Sequence, residues 1–291
     1  MADNAPLVAL VSGCSTGIGR FVALRLAERG ASVVAGARRP ETLADLVSRF
    51  PERIHPVAWD LTDARATREA VMGAIARFGK LDLLINNAGY GQMGPIIELD
   101  REEWRRQLET NVIGLADAAT AAARAPGGMI ALRRGRIVNI GSIVGRLTIP
   151  FGGAYSASKY AVEAISDALR MELSPFGIEV VLVEPGPIIS EFGTNARASI
   201  AGILKRAGSP YEYLRPAIEA RTRISQRSGI PTETCAEVIV RAATMRRPPP
   251  RVLVTPHARV YLWIKRLLPD RALDAILRRR FGLNGAAPVA D

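Results

Sequence analysis

Short apolar runs alternate along the chain with longer stretches in which apolar residues recur every three to four positions. Residues 7–12, 32–37, 54–60, 81–86, 136–142, 178–184 and 251–255 are runs of strand length, rich in Val, Ile, Leu and Ala. Most are apolar at consecutive rather than alternate positions, the pattern of strands covered on both faces. The stretches 64–78, 101–124, 154–174 and 232–245 carry the helical period, the last with Thr232 placed to act as its N-cap. Repeated strand–helix–strand order predicts an α/β fold. Its core is a doubly wound parallel sheet of about seven strands, with helices on both faces and right-handed crossovers.

Regularity stops after Pro185. Gly186, Pro187 and Gly193 open an irregular stretch that runs to Gly229 and includes a short helical piece over 216–225. A connection of that length is expected to form a lid over a binding site, about 187–229. Its apolar side chains, among them Phe192, Ile200, Leu204, Tyr211 and Leu214, suit either an apolar pocket or plain helix packing. Arg246, Arg247 and three prolines then form a stiff connector to the last strand. Beyond it, 256–291 is a basic, amphipathic, helical C-terminal extension. Val260, Trp263, Ile264, Leu267 and Leu268 share one helical stripe, and Pro269 interrupts it. Leu273, Ile276 and Leu277 begin a second stripe, closed by Arg278, Arg279 and Arg280. Two readings stay open for this extension. It covers the pocket or a partner subunit with its arginines solvated, or it rests on an anionic membrane surface.

Composition narrows the class. The chain has 291 residues, 48% of them hydrophobic, enough for one large core. The net charge of +11 calls for an anionic partner (nucleic acid, acidic lipid or a phosphorylated cofactor) or reflects background bias. No nucleic-acid-binding motif accompanies it. Between Arg246 and Asp291 ten basic residues face three acidic ones, so most of the excess lies at the C-terminal end. Two cysteines, Cys14 and Cys235, and two isolated histidines, His55 and His257, form neither a disulfide framework nor a metal-binding spacing. With no leader-like or spanning stretch, the expectation is a cytoplasmic protein, with peripheral membrane contact left open.

The first strand runs into Gly13, Cys14, Ser15, Thr16, Gly17, Ile18 and Gly19, and a helix follows. Such a turn lets backbone N–H groups approach a pyrophosphate at a helix N-terminus. The second strand ends in Ala37, Arg38 and Arg39 where an NAD-binding chain usually carries an acid. Arg38 can pair with a 2′-phosphate bidentately, and Ser15 can add a hydroxyl, so the expected cofactor is NADP(H).

These motifs continue in a fixed order: Asn86-Asn87-Ala88-Gly89, Asn111, Ser142, Tyr155-x-x-x-Lys159 and Pro185-Gly186. Together they resemble the short-chain dehydrogenase/reductase family over about residues 7–190, within it most closely the 17β-hydroxysteroid and retinol dehydrogenase branch. The resemblance implies a Rossmann-like domain over 1–255. It also implies adenine contact by Asp60, beside Leu61, and a cofactor lining of Asn87, Ala88 and Gly89. Lys159 would grip the nicotinamide ribose, Pro185, Gly186 and Ile188 would pack beside the nicotinamide, and Asn111 would organise a water-linked proton path. Ser190 stands where the family commonly has Thr, and Gly141 where Ser is frequent before Ser142.

The residues support that chemistry directly. Tyr155 and Lys159 are four apart on one helix and share a face. Bringing a phenol from about 10 to about 7 takes roughly 4 kcal/mol, and an ammonium about 5 Å away offers roughly 3 kcal/mol at an effective dielectric of 20. Tyr155 is therefore the expected acid/base and Ser142 the carbonyl anchor. The leading expectation is a homodimeric or homotetrameric oxidoreductase acting on a ketone, aldehyde or alcohol of a lipophilic substrate. A 3-oxoacyl-carrier-protein reductase and a non-catalytic NADP-binding regulator remain as alternatives.

Overall fold

The computed structural model describes residues 6–206, 208–216, 218 and 229–285. Seven parallel strands form one sheet: β1 (Val8–Val11), β2 (Ser32–Ala37), β3 (Ile54–Ala58), β4 (Leu83–Asn86), β5 (Gly135–Ile140), β6 (Ile178–Glu184) and β9 (Arg251–Leu253). Their order is β3-β2-β1-β4-β5-β6-β9, so the chain reverses direction across the sheet between β1 and β4. Ligands of open α/β sheets bind at the carboxyl ends of strands flanking such a reversal. A two-stranded pair, β7 (Ile188–Ile189) and β8 (Ile230–Pro231), lies outside this sheet.

The helices are α1 (Gly17–Glu28), α2 (Ala44–Arg49), α3 (Ala64–Phe78), α4 (Arg101–Leu108), α5 (Gly114–Arg124), α6 (Met129–Leu132), α7 (Gly153–Leu173), α8 (Glu191–Ile203), α9 (Thr232–Thr244), α10 (Pro256–Leu267) and α11 (Asp270–Arg280). Strands β1, β2 and β4 are buried at every position, as their unbroken apolar runs require. One face is covered by α1, α2 and α9, through Val22, Leu26, Leu46, Ile239 and Val240. The other is covered by α3, α5 and α7, through Val71, Ile75, Ala118, Ala122 and Leu173.

Local signals explain the sharper boundaries. Asp63 caps α3 by accepting from the amides of Arg65 and Ala66, and Gly79 ends it in the left-handed region at φ 74°. Thr232 is not the N-cap of α9. Pro231 holds that place, and the Thr232 hydroxyl instead donates to the Ile189 carbonyl at 2.6 Å, joining α9 to the β7–β8 pair. Of the helical piece expected over 216–225, only Pro216 and Ile218 fall among the described residues.

The helix expected without a break over 101–124 is interrupted. It opens with a capping box between Asp100 and Glu103, then widens into a π turn over Glu109–Ile113 before α5. The widening has a tertiary cause. A Cβ at Gly114 would lie 2.4 Å from the Leu61 carbonyl oxygen, so the chain is drawn tight against the loop after β3. The turn also aims Asn111 inward, where it is 2% exposed.

Candidate active site

At the carboxyl end of β1, Ser12 organises the glycine turn from below. Its hydroxyl accepts from the amides of Asn87 and Ala88, each at 3.0 Å. The Asn87 side chain returns two bonds, to the carbonyls of Ser12 (2.9 Å) and Gly13 (3.2 Å). The turn thus rests directly on the Asn87-Ala88-Gly89 segment after β4. Gly13 has φ +71°, and a Cβ there would meet the Ala88 Cα at 2.8 Å. At Gly19 a Cβ would meet the Gly13 carbonyl oxygen at 2.3 Å. These two glycines are required by close approach.

Gly17 differs, because a Cβ there would meet nothing within 4 Å, although its φ of +61° still favours glycine. Helix α1 begins at Thr16 with no side-chain cap and no acidic residue in its first turn. Its leading amides therefore remain for an outside anion. Ser15 is half-buried beside them, with no side-chain hydrogen bond among the described residues, and Ile18 is half-buried. At the end of β2, Ala37 is buried while Arg38 is exposed and makes no ion pair among the described residues. Asp60 is half-buried, and its Oδ1 accepts from the Thr62 amide and hydroxyl, both at 2.9 Å, leaving Oδ2 unused. Free amides and a free guanidinium as donors, with one free carboxylate oxygen as acceptor, fit a phosphorylated adenine dinucleotide.

Three residues meet at the ends of β5 and α7. Ser142 accepts from the Val144 amide at 3.3 Å, and its hydroxyl lies 3.5 Å from the Pro185 carbonyl. It also hydrogen-bonds the Tyr155 phenol, which opposes the upward push of burial; burial wins, and the phenol is held up to about 12. Lys159 is 7% exposed, and its Nζ donates to the Ile140 carbonyl at 2.7 Å. Burial pulls this ammonium down to about 8. Nζ is 5.9 Å from the centre of the Tyr155 ring. Lys159 stands near the ring, yet the phenol is raised rather than lowered, because desolvation outweighs the hydrogen bond with Ser142.

Asn111 is placed differently from the other three. Its Nδ2 donates to the Tyr90 carbonyl (2.9 Å) and the Ser158 hydroxyl (3.1 Å), and its Oδ1 accepts from the Tyr90 amide (3.1 Å). Gln107, one turn earlier, makes parallel bonds to the Tyr90 carbonyl (3.1 Å) and Ser158 (3.3 Å). Both amides anchor the loop after Gly89. Ser12, Gln107 and Ser158 are supports that no motif marks. Gln107 and Asn111 are four apart on one face, the one signal that could have paired them.

The far wall comes from the turn after β6. Pro185 is buried, and a Cβ at Gly186 would lie 2.3 Å from the Thr255 hydroxyl. Ile188 is half-buried in β7, and Ser190 starts α8 without using its hydroxyl as a cap. Phe192 on α8 reaches back over Tyr155, ring centres 5.3 Å apart. Behind Lys159, Glu163 faces Glu184, which is fully buried. Desolvation and that neighbour push the Glu163 carboxyl up, against the pull of Arg251 at 3.1 Å.

Comparison with known proteins identifies the family. The chain matches the short chain dehydrogenase family over residues 7–201. It is similar to the NADPH-dependent 3-dehydrocapnine reductase of Ornithobacterium rhinotracheale, at 34% identity over 92% of this chain and 95% of that one. It is similar to the 3-ketodihydrosphingosine reductase of Bacteroides thetaiotaomicron, at 33% identity over 94% and 97%. Among solved structures, a short chain dehydrogenase from Burkholderia cenocepacia in complex with NADP superposes with a TM-score of 0.71. Identity to it is 28%, over 94% of this chain and 97% of that one. The chain belongs to the short-chain dehydrogenase family of oxidoreductases.

Proposed function

We propose that this chain is an NADP(H)-dependent oxidoreductase that interconverts a lipid-like ketone or aldehyde with its alcohol. The observation that carries this reading is the meeting of Ser142, Tyr155 and Lys159 at the same edge of the sheet as an uncapped helix N-terminus. The dinucleotide supplies the hydride when bound. The turn residues Gly13, Ser15, Thr16, Gly17, Ile18 and Gly19 hold its pyrophosphate, and Arg38 pairs with the 2′-phosphate. Asp60 contacts the adenine through its free oxygen, with Leu61, Asn87, Ala88 and Gly89 along the adenosine side. Pro185, Gly186 and Ile188 would line the nicotinamide side, and the Ser190 hydroxyl would be available to its carboxamide.

The proton chemistry follows from the residues. A phenol held near 12 is protonated at neutral pH, the state a donor to a carbonyl oxygen needs. Ser142 hydrogen-bonds the same oxygen and stabilises its developing charge. Lys159 has three donors, of which the Ile140 carbonyl takes one, and the other two serve the ribose. Asn111 keeps one lone pair on Oδ1 for a water on the path to solvent.

Two observations support a lipid-like substrate. The names of the two relatives specify reduction of 3-dehydrocapnine and 3-ketodihydrosphingosine. The lid also contributes Ile200, Leu204, Leu214 and Ile218 to an apolar cluster with Phe151, four residues before Tyr155. Assembly into a homodimer or homotetramer is part of the same reading, supported by exposed Ile113 and Met171 along the α4–α5 and α7 faces. An NADPH-oxidation screen over 3-keto sphingoid bases, retinal, ketosteroids, acyl thioesters and short ketones tests the proposal. Turnover of a long-chain or polycyclic carbonyl at lower KM than short ketones is expected. Activity confined to acyl thioesters would overturn the lipid reading.

A further inference from the structure

The first C-terminal helix wears its apolar stripe on the outside. On α10, Val260, Trp263, Ile264 and Leu267 fall at i, i+3, i+4 and i+7, and they are 55%, 60%, 38% and 73% exposed. The opposite face holds the helix to the body of the protein. Ala258 is fully buried there. Lys265 donates through Nζ to the Tyr160 hydroxyl at 2.8 Å and to the Arg146 carbonyl. A helix that covers its own pocket buries the apolar stripe and exposes the lysine. Here the arrangement is reversed, so the reading in which this stripe covers the pocket is not what the structure has.

Basic charge predominates around the stripe, with Asp270 and Asp274 on α11 as the acidic residues. Arg259 and Arg266 run along one edge, α10 contains no acidic residue, and Arg278, Arg279 and Arg280 are exposed at the end of α11. The two helices are joined at their far ends, since the Arg280 guanidinium lies 5.9 Å over the Tyr261 ring. Ile276 adds a further exposed apolar side chain on α11. Immediately after α11, Phe281 and Leu283 pack onto the lid cluster, with Phe281 6.3 Å from Phe151 between ring centres.

We propose that the α10–α11 face docks on an anionic phospholipid surface. Charge decides between this occupant and a second copy of the chain. A two-fold interface places the same patch on both sides, so its six exposed arginines (Arg259, Arg266, Arg271, Arg278, Arg279 and Arg280) would meet only the patch's own Asp270 and Asp274. An anionic leaflet neutralises the arginines and takes the apolar stripe into the headgroup boundary, with Trp263 at the level such residues favour. The helix does not span. Among the described residues no helix is long and apolar enough to cross a membrane. The lipid-like substrate gives docking its purpose and so rests on the function proposed above. Docking itself requires only the surface.

Co-sedimentation of the full chain with vesicles tests it, without substrate or cofactor. The probes are vesicles of phosphatidylcholine alone and vesicles with about one third phosphatidylglycerol, at low salt. At least a tenfold preference for the anionic vesicles is expected, together with a blue shift of tryptophan emission. The variant with Trp263→Ala and Leu267→Ala changes only exposed side chains. It should lose at least tenfold in vesicle binding and keep its turnover of a short, water-soluble ketone. Failure of the unmodified chain to bind anionic vesicles would overturn the proposal. So would binding that the double variant leaves unchanged, or a dimer that the double variant dissociates while no vesicle binding is seen. Because no substrate is present, the outcome is independent of the substrate screen.

Discussion

The ring of Phe192 lies 5.3 Å from that of Tyr155, the two planes tilted by 50°. Phe192 belongs to α8, beyond the end of β6, whereas Tyr155 sits in the first turn of α7. The contact also depends on Gly91, where a Cβ would lie 2.9 Å from the Phe192 ring. Helix α8 is thus fitted against the proposed proton donor itself. Phe192→Ala should raise KM for a lipophilic substrate about tenfold, roughly 1.4 kcal/mol of lost contact, while kcat stays within about threefold. Steady-state kinetics on that substrate decides. A hundredfold fall in kcat at constant KM would show that Phe192 shapes the chemical step rather than binding.

Arg38 stands exposed and unpaired among the described residues, at the end of β2 where an acid would exclude a 2′-phosphate. Arg38→Asp removes a charge-assisted bond worth about 1.5–3 kcal/mol and adds repulsion, so NADPH affinity should fall roughly a hundredfold or more. NADH affinity should stay within about threefold. Fluorescence titration of both cofactors measures this, and an equal loss for both would remove Arg38 from the phosphate site.

The Glu163–Glu184 pair makes stability fall with rising pH. Arg251, Asp167 and Arg146 surround it, with the Arg146 guanidinium 3.6 Å from Glu184. The Glu163 carboxyl is raised to about 7, so the native state holds a proton that the unfolded chain has already released above about 4.5. Its contribution is fully present below about 4.5 and is lost as pH rises towards about 7. Glu163→Gln retains a donor to Glu184 and does not titrate. It should flatten the fall and make the protein more stable at pH 8, by on the order of 1–3 kcal/mol. Chemical denaturation of both proteins at pH 5 and pH 8 measures the difference. A variant that is less stable at both pH values would show that the Arg251 contact outweighs the shared proton.

How much of this was legible in the sequence depended on where each cause lies. Helix α3 was readable to the residue, because Asp63 and Gly79 are adjacent to its ends. The π turn was not, because it depends on Gly114 meeting Leu61 and on Asn111 reaching Tyr90 and Ser158. Ser142, Tyr155 and Lys159 could be proposed from the joint order and spacing of motifs that resemble the short-chain dehydrogenase/reductase family. The part played by Ser12 could not, since its partners come from the far side of β4. Tyr155 shows the limit for energetics, because spacing reveals a nearby lysine and says nothing of how deeply the phenol is buried. The α10 stripe shows the limit for orientation. Periodicity identifies one apolar face, and the exposure of Trp263 and Leu267, with the Lys265 contacts to Tyr160 and Arg146, shows that it points away from the body.

The central claim is that Tyr155 gives the proton to the substrate oxygen in an otherwise intact cofactor site. Tyr155→Phe deletes one hydroxyl and keeps the ring against Phe192. NADPH affinity and turnover, measured side by side on this variant and the unmodified protein, test the claim most directly. NADPH binding is expected within about threefold of normal, with turnover reduced by roughly a hundredfold to ten-thousandfold. Turnover above about a tenth of the unmodified rate, with binding intact, would contradict it.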